Sequence, residues 1–399
     1  MREIATVGVL GAGTMGAGIA QVAIEAGLDV VAHDPVEGAV ERARGRIDGF
    51  LRRKVEKGQL TAGDADAALE RIRAATGLEE VGGVDLVVEA APEDLELKRD
   101  LFRRLDAVAD ADTILATNTS SLSVGRIAAA TAHPGRVVGM HFFNPVPLMA
   151  LVEVVAGPLT DAAVADSVAL LARRLGKTPV VAADTPGFIV NRVQRAYYLE
   201  AYRIHEAGLA PIDAIDDAMR GIGFRMGPFE LADVVGTDVN LAAGTAIFDG
   251  YYGDARYRPA QVQRRVVDAG RLGRKSGGGY YDYGADGTRG APWPALGRTG
   301  LLPALDAPQI EARVLACIVN EAASAVADGV AAPDAIDTAM RLATNWPEGP
   351  LAWAERIGLP SIVQTLDALH AVVPDGRYRV EPLLRAVADR GGSFSESRA

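Results

Sequence analysis

The length, composition and charge of the chain narrow the classes of protein to which it can belong. Its 399 residues are too many for one ordinary domain and predict two or three. The excess of acidic residues, 52 Asp and Glu against 41 Lys and Arg, argues against nucleic acid or an anionic membrane as the main partner. No apolar run approaches the ~20 residues of a membrane-spanning helix, and no signal-peptide pattern opens the chain. With its single cysteine, Cys317, the chain is predicted to be a soluble cytoplasmic protein.

The first segment predicts a dinucleotide-binding βαβ unit. The apolar run IATVGVL leads directly into the glycine-rich loop GAGTMG, and a helical pattern and the strand DVVAHD follow. Gly11 permits the tight turn, Gly13 lets the backbone approach a pyrophosphate, and Gly16 lets helix and strand pack closely. Asp34 ends the second strand, where a carboxylate accepts hydrogen bonds from ribose hydroxyls and repels a 2′-phosphate. The pattern favours NAD over NADP; the alternative is an ordinary tight turn.

A charged helical stretch lies between Asp34 and Leu69, and four of its basic residues cluster. These residues are Arg52, Arg53, Lys54 and Lys57. The cluster has two interpretations, a solvated helix face or a docking patch for a ligand that carries phosphate groups.

Strands and helices alternate to about residue 185, which predicts an α/β, doubly wound, Rossmann-like domain over residues 1–185. RVVGMHFF reads as a strand, so His141 lies at its carboxyl end, where open α/β sheets bind their ligands. Ser120 follows another predicted strand, TILATN, and reaches the same edge of the sheet.

The segment MHFFNPVPLMALVEV combines this histidine with one glutamate, Glu153, in an apolar strand. Buried charges are rare without a partner, so we predict that His141 and Glu153 form one acid–base pair. An imidazolium beside Phe142 and Phe143 would be poorly solvated, and the carboxylate would offset its charge. The alternative is a structural histidine whose hydrogen bonds are satisfied.

The sequence changes character after VVAADTPGFIVNR, where an all-helical region begins. Thr185 is the predicted N-cap and Pro186 the first residue of a long helix that carries Asn191 in its first turns. Helical patterns continue to residue 283, so residues 186–283 are predicted to form one helical domain.

This helical pattern occurs twice. APIDAIDDAMRGIGFRMGPFELADVVG matches AAPDAIDTAMRLATNWPEGPLAWAERIG, and Glu200 and Glu321 share the offset of 121 residues. Residues 309–395 are therefore predicted to be a second copy, joined by a Gly-, Pro- and Ala-rich linker over residues 284–308. The second copy has Ala312 in place of the amide at position 191 and is predicted to pack rather than to catalyse.

Six motifs in order make the chain resemble the L-3-hydroxyacyl-CoA dehydrogenase family over essentially its whole length. They are VGVLGAGTMGAGIA, VVEAAPEDLELK, ATNTSSL, MHFFNPVPLMALVEV, DTPGFIVNR and LGRKSGGGYYDY. The resemblance implies NAD-dependent interconversion of a 3-hydroxyacyl thioester and its 3-ketoacyl partner. It also implies a short acyl group, such as that of 3-hydroxybutyryl-CoA.

The resemblance assigns roles to matching residues. It implies that His141 is the catalytic acid–base, that Glu153 orients it, and that Ser120 and Asn191 contact the reacting part of the substrate. Besides the loop glycines, Asp34 and Ser120, the residues implied to border the cofactor are Thr14, Met15, Glu93, Lys98, Asn144 and Lys275. Lys54 or Lys57 is implied to meet the phosphates of CoA. The chain departs from the family at Ala150, where lysine is frequent, and in its second helical copy.

Three functions are open on the sequence alone. The first is a 3-hydroxyacyl-CoA dehydrogenase, and the second is a dehydrogenase of a hydroxyacyl group on an acyl carrier protein, as in biosynthetic extender-unit supply. The third is a non-catalytic NAD-binding protein. No metal site is predicted, because the histidines lack ligand spacing. Simple family members dimerise through the helical domain, so either a homodimer or a pseudo-dimer within one chain is expected.

Overall fold

The computed structural model describes residues 4–297, 300 and 303–394. The chain divides into two compact units, Met1–Phe188 and Ile189–Ala399. Residues 298, 299, 301 and 302 of the predicted linker, and residue 395 of the predicted second copy, lie outside the described residues. Within the described ranges no single helix is long and apolar enough to cross a membrane, and one sharply bent pair, Pro228–Val235 with Thr237–Gly250, meets that test together.

The first unit is built on one sheet of eight strands. The strands are β1 (Thr6–Leu10), β2 (Asp29–His33), β3 (Ile72–Ala74), β4 (Leu86–Glu89), β5 (Ile114–Thr117), β6 (Val137–Phe142), β7 (Leu151–Ala156) and β8 (Thr178–Ala183). Their order is β3-β2-β1-β4-β5-β6-β7-β8, and every neighbouring pair is parallel except β6 and β7. The predicted α/β doubly wound fold is confirmed, with this one antiparallel pair as an addition.

Helices cover both faces of the sheet, which explains why the central strands are apolar throughout. They are α1 (Thr14–Glu25), α2 (Ala39–Glu56), α3 (Ala62–Glu70), α4 (Leu78–Gly82), α5 (Leu95–Val108), α6 (Val124–Ala128) and α7 (Ala162–Arg174). Side chains of α1, α2, α3 and α7 form one core with the sheet, and those of α4, α5 and α6 form the other. The charged stretch after Asp34 is two helices, interrupted at Gly58, whose φ is 66°.

The second unit is mostly helical. Its helices are α8 (Val190–Glu206), α9 (Ile212–Gly221), α10 (Pro228–Val235), α11 (Thr237–Gly250), α12 (Gln261–Asp268), α13 (Ala307–Ala327), α14 (Pro333–Thr344), α15 (Pro350–Ile357), α16 (Leu359–Val372) and α17 (Pro382–Arg390). Two short antiparallel strands, β9 (Tyr281–Tyr283) and β10 (Arg289–Pro292), lie between α12 and α13. The second of these strands falls within the predicted linker.

The predicted start of α8 is wrong. The helix begins at Val190 with Ile189 as its N-cap, and neither Thr185 nor Pro186 belongs to it. Gly187 and Phe188 have φ values of 80° and 48°, a left-handed conformation that a right-handed helix does not accommodate. The proline therefore belongs to a turn, closed by a hydrogen bond from the Phe188 N–H to the Thr185 carbonyl.

The two helical copies pack on each other through reciprocal ion pairs. Arg192 Nε donates to Glu321 at 2.6 Å, and Arg313 Nε donates to Glu200 at 2.9 Å. The residues of the second copy follow those of the first by 121 positions, so the two pairs are related by exchange of the copies. Tyrosines at matching positions, Tyr257 and Tyr378, donate to the same two carboxylates. The repeat seen in the sequence is thus a pseudo-symmetric pair in space.

A buried aspartate explains the Gly-Pro motif that both copies share. Asp216 accepts hydrogen bonds at 2.9 and 3.0 Å from backbone N–H groups in the first turn of α10. Asp337 does the same for α15, at 2.8 and 3.0 Å. A Cβ atom on Gly227 would lie 2.3 Å from Asp216, and one on Gly349 would lie 2.2 Å from Asp337. Only glycine lets the helix end approach its capping carboxylate so closely.

Burial raises the pKa of Asp216 to about 7 and that of Asp337 to about 6, although the backbone hydrogen bonds favour the ionised form. In the unfolded chain the pKa of an aspartate is about 3.9. Between that pH and the folded pKa, the aspartate is therefore more protonated in the folded chain than in the unfolded chain. The stability that these groups contribute is therefore fully present below about pH 4 and is lost as pH rises through the folded pKa.

We predict that Asp216→Asn lowers the melting temperature more at about pH 5.5 than at about pH 8, because the wild-type chain has already lost part of this contribution at the higher pH. Thermal unfolding at the two pH values measures the difference. The exposed Asp213→Asn is the control and should show no such pH dependence. An equal loss at both values for Asp216→Asn would contradict the raised pKa.

Candidate active site

The antiparallel register of β6 and β7 places His141 directly opposite Glu153. Its Nδ1 lies 2.6 Å from Glu153 Oε2, and the two residues are 6% and 0% exposed. A carboxylate can only accept here, so Nδ1 is the donor and Nε2 is left to exchange a proton. The two residues that the sequence paired therefore form one hydrogen-bonded unit in the buried sheet.

The aromatic wall around the imidazole differs from the prediction. The ring centroids of Phe143 and Phe188 lie 4.5 and 5.9 Å from that of His141. Phe142 faces the opposite side of the sheet and is part of the core, because successive residues of a strand alternate between faces. Phe188, which carries the left-handed turn before α8, was not predicted, and no short-range sequence pattern identifies it.

The turn after β5 is organised by Glu93. Its Oε1 accepts hydrogen bonds from Thr119 Oγ1 at 2.6 Å, from the Ser120 N–H at 2.9 Å and from the Ser121 N–H at 3.1 Å. Burial opposes ionisation of this carboxyl, but the hydrogen bonds and the charge of Lys98 outweigh it and hold the pKa of Glu93 below its usual range. Glu93 thus fixes the backbone that presents Ser120.

Three further hydrogen bonds hold the same edge of the sheet. Asn118 Oδ1 accepts from the Phe142 N–H at 2.8 Å and ties the end of β5 to the end of β6. Lys98, although predicted to border the cofactor, is 1% exposed and donates to Glu89 Oε1 at 2.6 Å. Thr117 donates to the other oxygen of Glu89 at 2.7 Å. Glu89 was predicted only as a strand end, and it is the buried centre of this network.

The glycine loop has the geometry of a phosphate-binding turn. Gly11 has a φ of 94°, and a Cβ atom on Gly16 would lie 1.8 Å from the Gly11 carbonyl oxygen. A Cβ atom on Gly13 would meet nothing within 4 Å, so that side of the loop is open. α1 begins at Thr14 and directs its N-terminus to this opening. An open loop at a helix N-terminus suits a dinucleotide, and the contacts of the individual glycines with a pyrophosphate stay predictions.

Asp34 lies beside the loop at the end of β2. Its carboxylate accepts hydrogen bonds from the Ala12 N–H at 2.7 Å and from the Val36 N–H at 2.9 Å. Arg46 of α2 donates to the Ala12 carbonyl at 2.8 Å. Asp34 thus lies at the loop, its role toward a ribose stays a prediction, and Arg46 is an additional cation at the loop that the sequence did not single out.

A cavity of about 470 Å³ opens between α1, α2 and the loop after β6. Arg46, Phe50 and Arg53 are among the residues of α2 that line it, together with Asn144 to Pro147. Lys54 and Lys57 are not among the lining residues, and Lys54 Nζ donates to Glu25 at 2.7 Å. Helical spacing explains the difference, because positions 46, 50 and 53 share one face of α2.

Two predicted site residues belong to the second unit. Asn191 is the second residue of α8, and Lys275 Nζ donates to both oxygens of Asp238 at 2.7 and 2.8 Å. Their roles toward substrate and cofactor stay predictions.

A loop open to a dinucleotide and a histidine able to exchange a proton, both at the strand ends of one sheet, are what hydride transfer to a nicotinamide requires. The fold and the site thus define the class of protein as an NAD-binding α/β dehydrogenase. The chain belongs to the 3-hydroxyacyl-CoA dehydrogenase family: residues 6–185 match its NAD binding domain, and residues 187–283 and 310–396 match its C-terminal domain. The predicted resemblance is confirmed, and the chain is an NAD-dependent oxidoreductase of this family rather than a non-catalytic binding protein.

Individual relatives agree on the reaction and differ in the acyl group. The chain is 38% identical to the 3-hydroxyadipyl-CoA dehydrogenase of Escherichia coli, over 96% of this chain and 98% of the relative. It is 45% identical to a probable 3-hydroxybutyryl-CoA dehydrogenase of Deinococcus radiodurans, over 69% of this chain and 99% of the relative. A crystal structure described as 3-hydroxybutyryl-CoA dehydrogenase from E. coli superposes with a TM-score of 0.91 at 37% identity, covering 98% of this chain and 99% of the other.

We predict that alanine at Gly16 and alanine at Gly13 affect different properties, the stability of the fold and the binding of NADH respectively. Gly16→Ala should lower the melting temperature, because the new methyl group meets the Gly11 carbonyl, whereas Gly13→Ala should leave it unchanged. Gly13→Ala should nevertheless weaken NADH binding, measured by fluorescence titration, because its methyl group occupies the opening of the loop. Unweakened NADH binding by a folded Gly13→Ala protein would contradict this assignment of the cofactor.

Proposed function

We propose that the chain catalyses reversible hydride transfer between C3 of an L-3-hydroxyacyl-CoA and NAD, with His141 as the acid–base. The observation that carries the proposal is the 2.6 Å contact between His141 Nδ1 and Glu153 Oε2. NAD, when bound, accepts the hydride from C3. The hydroxyl at C3 must lose its proton as the carbonyl forms, and His141 Nε2 takes that proton, since Nδ1 already donates to Glu153.

The groups around the dyad support this proton transfer. Glu153 holds the Nδ1 tautomer and offsets the positive charge that His141 acquires beside Phe143 and Phe188. In the reverse direction the same histidine returns the proton to the oxygen. We assign to Ser120 and Asn191 the hydrogen bonds to that oxygen, each worth about 3 kcal/mol in the transition state.

The cavity on α2 is our proposed site for the phosphates of CoA. Arg53 and Arg46 supply positive charge along it, and Phe50 supplies an apolar wall. The sequence-based assignment to Lys54 or Lys57 extends this site to the neighbouring turn of α2. A carrier-protein thioester is the second candidate, because an acidic protein would meet the same basic helix.

Four finer points belong to the same proposal. Asp34 favours NAD over NADP, because its negatively charged carboxylate would repel the 2′-phosphate of NADP. Met15, Thr14, Lys98, Asn144 and Lys275 keep the cofactor roles that the resemblance implies. The reciprocal ion pairs of Arg192 and Arg313 support a pseudo-dimer within one chain. The cytoplasmic location expected from the sequence is part of the same proposal.

We predict that His141→Ala lowers kcat about 10²- to 10⁴-fold, because the proton acceptor is lost. NADH oxidation with acetoacetyl-CoA measures the effect. Glu153→Gln should lower kcat less, because an amide holds the ring without offsetting its charge. His133→Ala, whose side chain is 69% exposed, is the matched control and should keep wild-type turnover. Unchanged kcat in His141→Ala would overturn the proposed mechanism.

We predict that Arg53→Ala raises KM for acetoacetyl-CoA roughly tenfold and leaves kcat almost unchanged, because it removes a contact to the carrier and not to the reacting atoms. The salt dependence of KM should also weaken. Arg104→Ala, an exposed arginine on α5, is the control. Equal KM values for the wild-type chain and Arg53→Ala would move the CoA site away from this cavity.

A further inference from the structure

The face of α8 that carries Asn191 also carries a buried arginine. Arg195 follows Asn191 by four residues, so the two side chains lie one helical turn, about 6 Å, apart on the same face. Arg195 is only 4% exposed. A guanidinium is costly to bury, so its partners are informative.

Those partners do not include a carboxylate. The Arg195 NH1 group donates to the Asn240 carbonyl at 3.0 Å, and the guanidinium lies 4.8 Å from the ring centroid of Tyr198. In the described part of the chain no acidic side chain pairs with Arg195, its Nε meets no acceptor, and neither does Asn240 Nδ2. Burial lowers the pKa of Arg195. Two residues joined by a hydrogen bond, one of them cationic, thus each keep a buried donor without an acceptor.

The second helical copy provides an internal comparison for this arginine. At the offset of 121 residues, the arginine and glutamate of the reciprocal ion pairs are kept. Asn191 and Arg195 are both replaced, by Ala312 and Ala316. The second copy has one extra residue before its Gly-Pro motif, so Asn240 on α11 corresponds to Ile362 on α16. The second copy therefore folds without a counterpart of Arg195, and it also lacks the proposed substrate contact.

We propose that Arg195, with Asn240, binds a carboxylate at the far end of the acyl group, so that the preferred substrates are 3-hydroxydicarboxylyl-CoA thioesters of short chain. The inference rests on the proposed function, because it uses the assignment of Asn191 to the C3 oxygen. An acyl chain that leaves C3 beside Asn191 has to extend about one helical turn to reach the guanidinium. A carboxylate there would pair with the buried charge and accept from both open donors.

The test compares two substrates that differ in their end group alone, 3-hydroxyadipyl-CoA and 3-hydroxyhexanoyl-CoA, with NAD and the full chain. We expect kcat/KM to be at least about tenfold higher for the diacid, because a charge-assisted hydrogen bond is lost with the methyl end. Arg195→Met should abolish that preference and leave the hexanoyl rate within about twofold. Gln194→Leu, which introduces the residue found at position 315 of the second copy, is the control and should keep the preference.

Melting temperature and NADH affinity report whether Arg195→Met is folded, and Arg195→Lys, which keeps the charge, should retain part of the preference. A wild-type chain that prefers the hexanoyl thioester, or an equal fall on both substrates in folded Arg195→Met and Arg195→Lys proteins, would overturn the carboxylate site. No NADH formation by the wild-type chain from either thioester or from 3-hydroxybutyryl-CoA would instead defeat the proposed function itself.

Discussion

Glu153 is a carboxylate buried in the middle of a sheet, and the chemistry of the first unit depends on how that burial is tolerated. An unpaired charge there would cost several kcal/mol, and the antiparallel register of β6 and β7 supplies His141 directly opposite it. The strand reversal that interrupts an otherwise parallel sheet is thus the feature that creates the dyad. The same carboxylate that needs a partner for stability fixes the tautomer of the histidine that we propose as the acid–base.

Comparison of the two helical copies distinguishes the polar groups that stabilise the fold, which both copies keep, from a polar group that only the first copy has. Arg192, Glu200 and their counterparts in the second copy form reciprocal ion pairs, and both copies keep an aspartate that caps a helix. Each of these charged groups has a partner within the fold, so either copy would lose stability without them. Arg195 has no such partner and no counterpart, which is why we assign it to a ligand.

The basic residues that are close together in the sequence of α2 have different surroundings in the structure. Arg52 pairs with Asp48 and Asp66, and Lys54 pairs with Glu25. Two of the four basic residues are therefore neutralised by acidic residues of the same chain. Arg53 lies on the cavity face with Arg46, one to two turns away along the helix. The phosphate site that we propose therefore includes fewer of these basic residues than the run of four in the sequence suggests.

The sequence by itself determined the fold class, the glycine loop with Asp34, the pairing of His141 with Glu153 and the internal repeat, because each is carried by local pattern or by spacing along the chain. Only the tertiary structure decided that Phe188 rather than Phe142 walls the imidazole, and that Arg53 rather than Lys54 lines the cavity. It also decided that Glu93 organises the Ser120 turn, that α8 starts after a left-handed turn, and that Arg195 is buried without a counter-charge. These features depend on strand alternation, helix facing and backbone conformation, through which residues distant in sequence come into contact.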